Sequence, residues 1–258
     1  MEQCELTHLA RVAIDLPLAV AQHRAYAQAL ASLGCEIVAL PADPTLPDSV
    51  FVEDVAVVLD EIAVVTRPGA ESRRGEAAAV AESLVPFRRV STIAAPGTID
   101  GGDVLRIGRR IFVGQSGRSN DEGIEQLRAV AWPYGYTVTG VPVRGCLHLK
   151  SAITQVGPDT VLINPAWVDA GIFGAVQVIE IDPAEPYAAN GLLIGSTVIY
   201  PASFPKTRAR LEAAGIDVRA VDVSELQKAE GAVTCCSVVF TVPAQADEED
   251  PRAEMETL

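Results

Sequence analysis

The stretch DGGDVLRIGRRIFVGQS, residues 100–116, decides the fold, because it predicts a β-hairpin that begins with an acidic residue and turns at IGRR. Four other stretches follow the same plan, in which a polar residue precedes an apolar, β-rich segment. Successive leading residues are separated by 46, 48, 42 and 45 positions, and this regularity indicates five repeats of one structural unit. The leading residues are Asp54, Asp100, His148, Asn190 and Cys235.

Between the hairpins lie segments whose apolar residues recur at three- and four-residue spacing, as in amphipathic helices. Each ends at glycine, at proline or in a loop, which are the usual helix stop signals. A short strand follows, so each repeat reads hairpin, helix, strand, and a strand near 6–14 completes the fifth repeat with the first helix. The predicted helices cover 18–34, 72–85, 121–135 and 206–215, and the predicted strands after helices cover 36–40, 88–93, 136–143, 176–181 and 217–223.

Equal units that bury a shared face either stack in a line or close into a ring. A ring with the first strand of each unit at its centre places the five leading polar residues around one axis. A doubly wound α/β sheet is the alternative, but it requires helices between single strands and would disperse these residues. We therefore expect a single catalytic α/β domain over residues 1–242, followed by a disordered acidic tail at 243–258.

The composition narrows the possible partners. A net charge of −14 disfavours nucleic-acid binding and suits a cationic substrate. No apolar run approaches the roughly 20 residues that a membrane span requires, and the N-terminus lacks the basic region of a signal peptide. Five cysteines, an odd number, give no sign of a secreted disulfide framework, so we expect a cytoplasmic protein.

Two adjacent cysteines, Cys235 and Cys236, lie in the fifth hairpin. Neighbouring residues of a strand face opposite sides, so one of the two faces the centre of the ring and the other faces away. Two buried packing thiols are the alternative. His148 favours a nucleophile, because the ring places this imidazole near Cys235 and an imidazole commonly stabilises a thiolate. Asp100, at the equivalent position of the second unit, is a candidate for orienting the imidazole.

Charged residues near the hairpins suit a substrate with two charged ends. Glu53 and Asp54 interrupt the apolar strand FVEDV, where they either lie at a solvated edge or face the centre and bind a cation such as a guanidinium. Asp48 adds a negative group in the preceding loop. Loops after two hairpins contain Arg73 and Arg118, which are surface residues by default and carboxylate ligands in the functional interpretation. Together these groups indicate an enzyme that acts on an amino acid with a guanidinium-like end.

Six motifs follow one another in the chain: FVEDVAVV, TRPGAESRRGE, DGGDVL, FVGQSGRSN, LHLKS and TCCS. Through them the chain closely resembles the dimethylarginine dimethylaminohydrolases. These enzymes belong to the guanidino-group-modifying (pentein) superfamily, with the arginine deiminases and amidinotransferases. The resemblance covers about residues 7–242. It implies a five-bladed α/β propeller, in agreement with the ring expected from the repeats.

The resemblance also implies a mechanism. Cys235 is expected to attack the guanidinium carbon of an Nω-methylated L-arginine. His148 is expected to protonate the departing amine and then to activate water, with Asp100 orienting its ring. Hydrolysis of the covalent thiouronium intermediate gives L-citrulline and dimethylamine or methylamine. Cys236 is expected to point away from the site.

The same resemblance assigns the substrate contacts. The guanidinium end is expected to bind Glu53 and Asp54. The α-amino group is expected to bind Asp48 and the backbone near Ala229. The α-carboxylate is expected to bind two arginines, Arg73 and Arg118. No cofactor is expected, although a zinc ion bound to Cys235 and His148 would inhibit such an enzyme.

One region departs from the family pattern. Family members usually carry a long lid between the first strand and the first helix, whereas VAIDLPLAVAQHRAYA (12–27) passes from strand to helix almost at once. Leu16 is the expected remnant of the lid, and a partner subunit in a homodimer is another possible cover. The short lid leaves an alternative open, an arginine deiminase-like or amidinotransferase-like enzyme acting on arginine or another guanidino compound. A binding module without activity is a further alternative, but it predicts loss of the cysteine or the histidine, and both are present.

Overall fold

The computed structural model describes Met1 and residues 3–242, so the predicted acidic tail lies outside the described part. Within that part, the strands form four separate three-stranded sheets. The sheets comprise β1 (Ala56–Val58), β2 (Ile62–Val65) and β3 (Arg89–Thr92); β4 (Val104–Ile107), β5 (Arg110–Gln115) and β6 (Thr137–Pro142); β7 (Ile153–Gly157), β8 (Thr160–Ile163) and β9 (Gln177–Glu180); and β10 (Leu192–Ile194), β11 (Thr197–Pro201) and β12 (Asp217–Val221).

All four sheets share one topology. The first two strands form an antiparallel hairpin, and the third strand pairs in parallel with the second. In the second sheet, for example, Leu105 lies opposite Phe112, and Ile111 lies opposite Val138. The hairpin turn places Gly108 at φ +60°, a conformation that glycine adopts without steric cost. A connection between the second and third strands is needed because parallel strands cannot be joined by a tight turn.

Helices supply most of these connections. The Asn120 side chain accepts a hydrogen bond from the Gly123 N–H and so caps the N-terminus of α3. The buried face of α3 packs Ile124 and Leu127 into the apolar cluster that the first two sheets share. The four predicted helices are confirmed, except that residues 72–76 of the second and 132–134 of the third form 3-10 turns. The helices are α1 (Leu16–Ser32), α2 (Ala77–Leu84), α3 (Asp121–Ala131), α4 (Leu149–Ala152), α5 (Pro205–Ala213) and α6 (Ser224–Gln227).

Hydrogen bonds between successive units close the ring. Each joins the start of one unit to the start of the next, and the last returns from the fifth unit to the first. The five junctions are Gly102 N–H to Asp54 Oδ1 (3.0 Å), Leu149 N–H to Asp103 Oδ1 (2.9 Å), Gly191 N–H to Thr154 Oγ1 (3.0 Å), Asn190 Nδ2 to Thr234 Oγ1 (3.0 Å) and Glu53 N–H to the Cys235 carbonyl (3.1 Å). The leading polar residues therefore meet around one axis, as the repeats predict.

The fifth unit differs from the other four. The described residues at 6–14, 36–40 and 232–242 contain no strand, so the strands predicted there are wrong. Side chains bind the backbone instead of a neighbouring strand. The Tyr26 hydroxyl donates to the Val233 carbonyl at 2.7 Å, and Arg88 donates to the Thr241 carbonyl. The unit completes the ring by packing α1 and α6 on the turn at 233–236.

Short helical turns, rather than regular strands, begin the first three units. They span Val52–Val55, Gly101–Asp103 and Leu149–Ala152. The predicted strand alternation at FVEDV is therefore wrong, and both Glu53 and Asp54 are buried. No helix in the described residues is long and apolar enough to cross a bilayer.

Candidate active site

A small pocket opens at the axis of the ring. Seven of the residues predicted for the site line it: Cys235, His148, Asp54, Asp48, Arg73, Arg118 and Ala229. Three others lie elsewhere. Asp100 is fully buried behind His148, Glu53 is absent from the lining, and Leu16 begins α1 with 39% of its surface exposed. The remaining lining residues are Glu5, Phe51, Leu147, Glu230 and Gly231.

His148 is held between two carboxylates. Its Nε2 lies 3.1 Å from Asp100 Oδ2, and its Nδ1 lies 3.8 Å from Asp54 Oδ1. The ring fits closely over Gly102, where a Cβ atom would come within 2.6 Å of Nδ1. Burial alone would lower the pKa of His148, but the carboxylates of Asp54, Asp100 and Asp103 raise it to about 9. The imidazole is therefore protonated at neutral pH.

Cys235 lies in the turn at 233–236, one residue after Thr234. Burial, together with the charges of Glu53 and Asp54, raises the pKa of this thiol to about 12. The sequence predicts that His148 serves the thiol as a partner, but both of its ring nitrogens face carboxylates. The thiol is therefore neutral before a substrate binds.

Cys236 packs away from the pocket. It is buried in the apolar cluster of the fifth unit, and its thiol donates to the Ala232 carbonyl at 3.6 Å. Burial raises its pKa well above the usual range for a thiol. The two cysteines differ as predicted, with Cys235 in the lining and Cys236 in the core, although a turn rather than a strand separates them.

Arg73 faces the pocket, but its guanidinium already has protein partners. Nη1 lies 2.5 Å from Asp54 Oδ2, and Nη2 lies 2.8 Å from Glu76 Oε2. Nη2 also donates to the carbonyls of Asp48 and Phe51. This charge opposes the effect of burial on Asp54, whose pKa is lowered by His148 and Arg73 together. The structure thus gives Arg73 a role in keeping Asp54 ionised.

A segment that sequence reasoning missed covers the other end of the pocket. Residues 5–9, here called the covering segment, cross the mouth of the pocket. The Glu5 N–H donates to Asp48 Oδ2 at 3.1 Å, and Arg118 Nη2 donates to Thr7 Oγ1 at 3.0 Å. Asp48 and Arg118 are the residues expected to bind the α-amino and α-carboxylate groups of a substrate. The covering segment therefore contacts the groups that a substrate amino acid would use.

Glu230 holds the covering segment in place. Its carboxylate accepts hydrogen bonds from three successive backbone N–H groups, those of Thr7, His8 and Leu9, at 3.0, 2.5 and 2.5 Å. Glu230 itself has φ +58°, an uncommon conformation for a residue with a side chain. With the segment in place, the pocket encloses about 20 Å³, which is room for about one water molecule. An arginine-sized molecule is larger than this space.

Asp103 was not predicted as a site residue, although DGGD contains this second carboxylate three residues after Asp100. Its Oδ1 accepts from the Leu149 N–H, and its Oδ2 accepts from the hydroxyls of Ser116 and Ser119. Burial raises its pKa to about 6. Asp103 therefore anchors the short helix that follows His148.

A cation site is possible in the same place. Among the described residues, ligand atoms of Asp54, Asp100 and His148 all lie within 4.8 Å of one another. Cys235 does not belong to this group. Zinc binding by Cys235 and His148 stays a prediction.

Comparison with known proteins agrees with this geometry. The family model described as "N,N dimethylarginine dimethylhydrolase, eukaryotic" matches residues 10–170. An N(G),N(G)-dimethylarginine dimethylaminohydrolase of Streptomyces coelicolor is 43% identical, with 90% of each chain covered. The Pseudomonas aeruginosa protein of the same name is 38% identical, over 88% of this chain and 90% of its own.

The fold agrees as well. A crystal structure of a cysteine-to-serine variant of the Pseudomonas aeruginosa enzyme, complexed with citrulline, superposes with a TM-score of 0.88. It is 37% identical and covers 91% of this chain and 93% of its own. The four sheets and the closed ring are thus those of a pentein α/β propeller. The chain belongs to the dimethylarginine dimethylaminohydrolase family.

Proposed function

We propose that this protein hydrolyses Nω-methylated L-arginines to L-citrulline and dimethylamine or methylamine. The observation that carries the proposal is the convergence of Cys235, the His148–Asp100 pair and Asp54 in one buried pocket. A thiol supplies the nucleophile, the imidazolium supplies an acid, and the carboxylate supplies a partner for a guanidinium. The names of the relatives point to the same substrate class.

Substrate binding would change the charge balance around the thiol. In the free protein, burial and the Glu53 and Asp54 carboxylates disfavour the Cys235 thiolate. A guanidinium bound to Asp54 brings a positive charge next to Sγ and lowers the pKa of Cys235. The thiol then loses its proton to solvent when the substrate is in place, and the thiolate attacks the guanidinium carbon.

His148 would handle the remaining protons. As the C–N bond to the methylated nitrogen breaks, the imidazolium donates its proton to the departing amine. The neutral imidazole then takes a proton from water, which attacks the thiouronium carbon. Breaking the C–S bond releases citrulline and regenerates the thiolate. Asp100 keeps the ring oriented through both steps.

The amino-acid end of the substrate would displace the covering segment. Its α-amino group would replace the Glu5 N–H at Asp48, and its α-carboxylate would replace the Thr7 hydroxyl at Arg118. Arg73 and the backbone of Ala229 border the same space. Homodimer formation and a cytoplasmic location stay predictions.

An end-point assay for L-citrulline tests the proposal with asymmetric dimethylarginine, monomethylarginine and unmodified arginine in parallel. We expect citrulline from the two methylated substrates and little from arginine. Citrulline mainly from arginine would indicate a deiminase instead. Citrulline from none of the three would contradict the proposed function.

A further inference from the structure

An ion pair and a hydrogen bond on Glu53 join the helix that follows His148 to the turn of the nucleophile. Lys150 Nζ lies 2.5 Å from Glu53 Oε1. The other carboxylate oxygen of Glu53, Oε2, accepts a hydrogen bond from the Thr234 hydroxyl at 2.8 Å. Thr234 directly precedes Cys235, so the Glu53 carboxylate bridges the lysine cation and the turn that carries the nucleophile.

Asn190 provides a second connection between the same two elements. Its Nδ2 donates to the Lys150 carbonyl and to Thr234 Oγ1, each at 3.0 Å, and its Oδ1 accepts from the Thr234 N–H at 3.2 Å. The Glu53 N–H donates to the Cys235 carbonyl at 3.1 Å. The hydroxyl and the N–H of Thr234 are therefore held by Glu53 and Asn190, and the hydroxyl lies 4.0 Å from Cys235 Sγ.

Neighbouring residues of two units pair with one another in this region. Asp54 faces His148, and Glu53 faces Lys150, so two adjacent carboxylates each have a cationic group from the HLK stretch. Both carboxylates are buried. Removing the cation from a buried carboxylate leaves an uncompensated charge, which the surrounding structure relieves by moving or by admitting water.

We propose that Lys150 is a positioning residue for Cys235: by holding the Glu53 carboxylate, it fixes Thr234 and so directs the thiol toward the reacting carbon. Glu53 then acts on the turn of the nucleophile, because one of its oxygens binds Lys150 and the other binds Thr234. Lys150 is absent from the pocket lining, so we expect it to act through Glu53 and not by contacting the substrate. The proposal rests on the proposed function only in taking Cys235 as the nucleophile.

The test compares Lys150→Met with Lys150→Arg. Methionine keeps the length of the side chain and removes the charge. We expect kcat to fall about tenfold to a hundredfold, because a small misplacement of a reacting group has that effect. KM should change less than about threefold, since Asp48 and Arg118 are untouched. Arginine retains the cation and should keep kcat within about fivefold of the wild-type value.

Each kcat is divided by the folded fraction that circular dichroism measures, so unfolded protein does not count as a slow enzyme. Lys228→Met is the matched control. It removes another lysine–glutamate pair, in which Nζ lies 2.7 Å from Glu225 Oε2. We expect its kcat per folded molecule to stay near that of the wild type. An unchanged value for Lys150→Met, or a rise in KM larger than the fall in kcat, overturns the proposal.

A double-mutant cycle that combines Lys150→Met with Thr234→Val tests whether Lys150 acts through Glu53. Both substitutions act through Glu53, so their effects on kcat should be clearly less than multiplicative. Multiplicative effects would show that Lys150 acts by another route.

The alkylation rate of Cys235 by iodoacetamide at one fixed pH separates this proposal from the proposed function. If wild-type protein makes no citrulline, a slower alkylation of Lys150→Met than of Lys150→Arg still supports the positioning role, and equal rates contradict it.

Discussion

The two ends of the pocket are built in different ways. At the reactive end, Cys235, His148 and Asp54 come from the first turns of three units, and hydrogen bonds between neighbouring units close this region into a ring. At the amino-acid end, Asp48 and Arg118 lie in loops, and residues 5–9 cover them. The chemistry is therefore fixed by the repeat of the fold, whereas access to it depends on contacts between distant loops.

The largest expected effect separates the two cysteines of the reactive end. Cys235→Ser should lower citrulline formation by at least about 10³-fold, because a serine hydroxyl at this position is a far weaker nucleophile than a thiolate. Cys236→Ser is the matched control and should keep turnover within about threefold, since its side chain packs in the core. Mass spectrometry after brief exposure to substrate should find the covalent adduct on Cys235. The opposite ranking of the two variants would show that Cys236, and not Cys235, is the nucleophile.

Asp100→Asn should have the next largest effect. Its carboxylate is fully buried and binds His148 Nε2 as well as the Gly69 N–H. An amide cannot stabilise the imidazolium, so we expect kcat to fall about 10²- to 10³-fold with little change in KM. Asp60→Asn, at an exposed carboxylate that pairs with Arg106, serves as the control for loss of an ion pair. A fall of only a few-fold would remove the orienting role from Asp100.

The charge on His148 should also appear in the stability of the protein. Its folded-state pKa of about 9 lies above the usual 6.5, so protonation stabilises the fold fully below pH 6.5. This contribution is lost as the pH rises through 9, and it amounts to roughly 3 kcal/mol. Urea unfolding of wild type and His148→Asn at pH 6 and pH 10 should show their difference in stability shrink by about this amount.

His23→Asn provides the control for that measurement. Burial lowers the pKa of His23, so its neutral form is favoured in the folded state and it gives no loss of stability above pH 7. If the difference in stability between wild type and His148→Asn is the same at pH 6 and pH 10, the imidazole is neutral in the free protein. The acid role of the reactive end would then need another group.

The reactive end was predictable from sequence because it follows from a regular repeat. Equal spacing alone brought Asp54, Asp100, His148 and Cys235 to one axis, and the structure places them there. The details within each unit were less accessible. The turn at 52–55 buries both Glu53 and Asp54, whereas strand alternation predicts opposite faces. Short helical turns have no strong periodic signal over four residues, so the sequence pattern at 52–55 predicts a strand where the structure has a turn.

The cover of the amino-acid end was not predictable, because long-range contacts create it. Glu230 binds the backbone of residues that precede it by more than 200 positions, and no local pattern marks such a contact. The same holds for the fifth unit, whose described residues form no sheet and where the hydroxyl of Tyr26 and the guanidinium of Arg88 replace strand partners. The short connection between 12 and 27 does not reveal which residues cover the pocket, and the prediction of Leu16 as the remnant of a lid stays a prediction.

The smallest expected effect tests whether the covering segment competes with the substrate. Thr7→Val removes the hydroxyl that occupies Arg118 and leaves the three backbone hydrogen bonds to Glu230 intact. One such hydrogen bond contributes about 1 kcal/mol, so KM should fall about two- to fivefold while kcat stays unchanged. Thr197→Val, at a half-buried threonine that binds Asp217 in the fourth unit, is the control. A higher KM for Thr7→Val would instead mean that the segment helps to hold the substrate, and the two ends of the pocket would then cooperate in binding rather than differ.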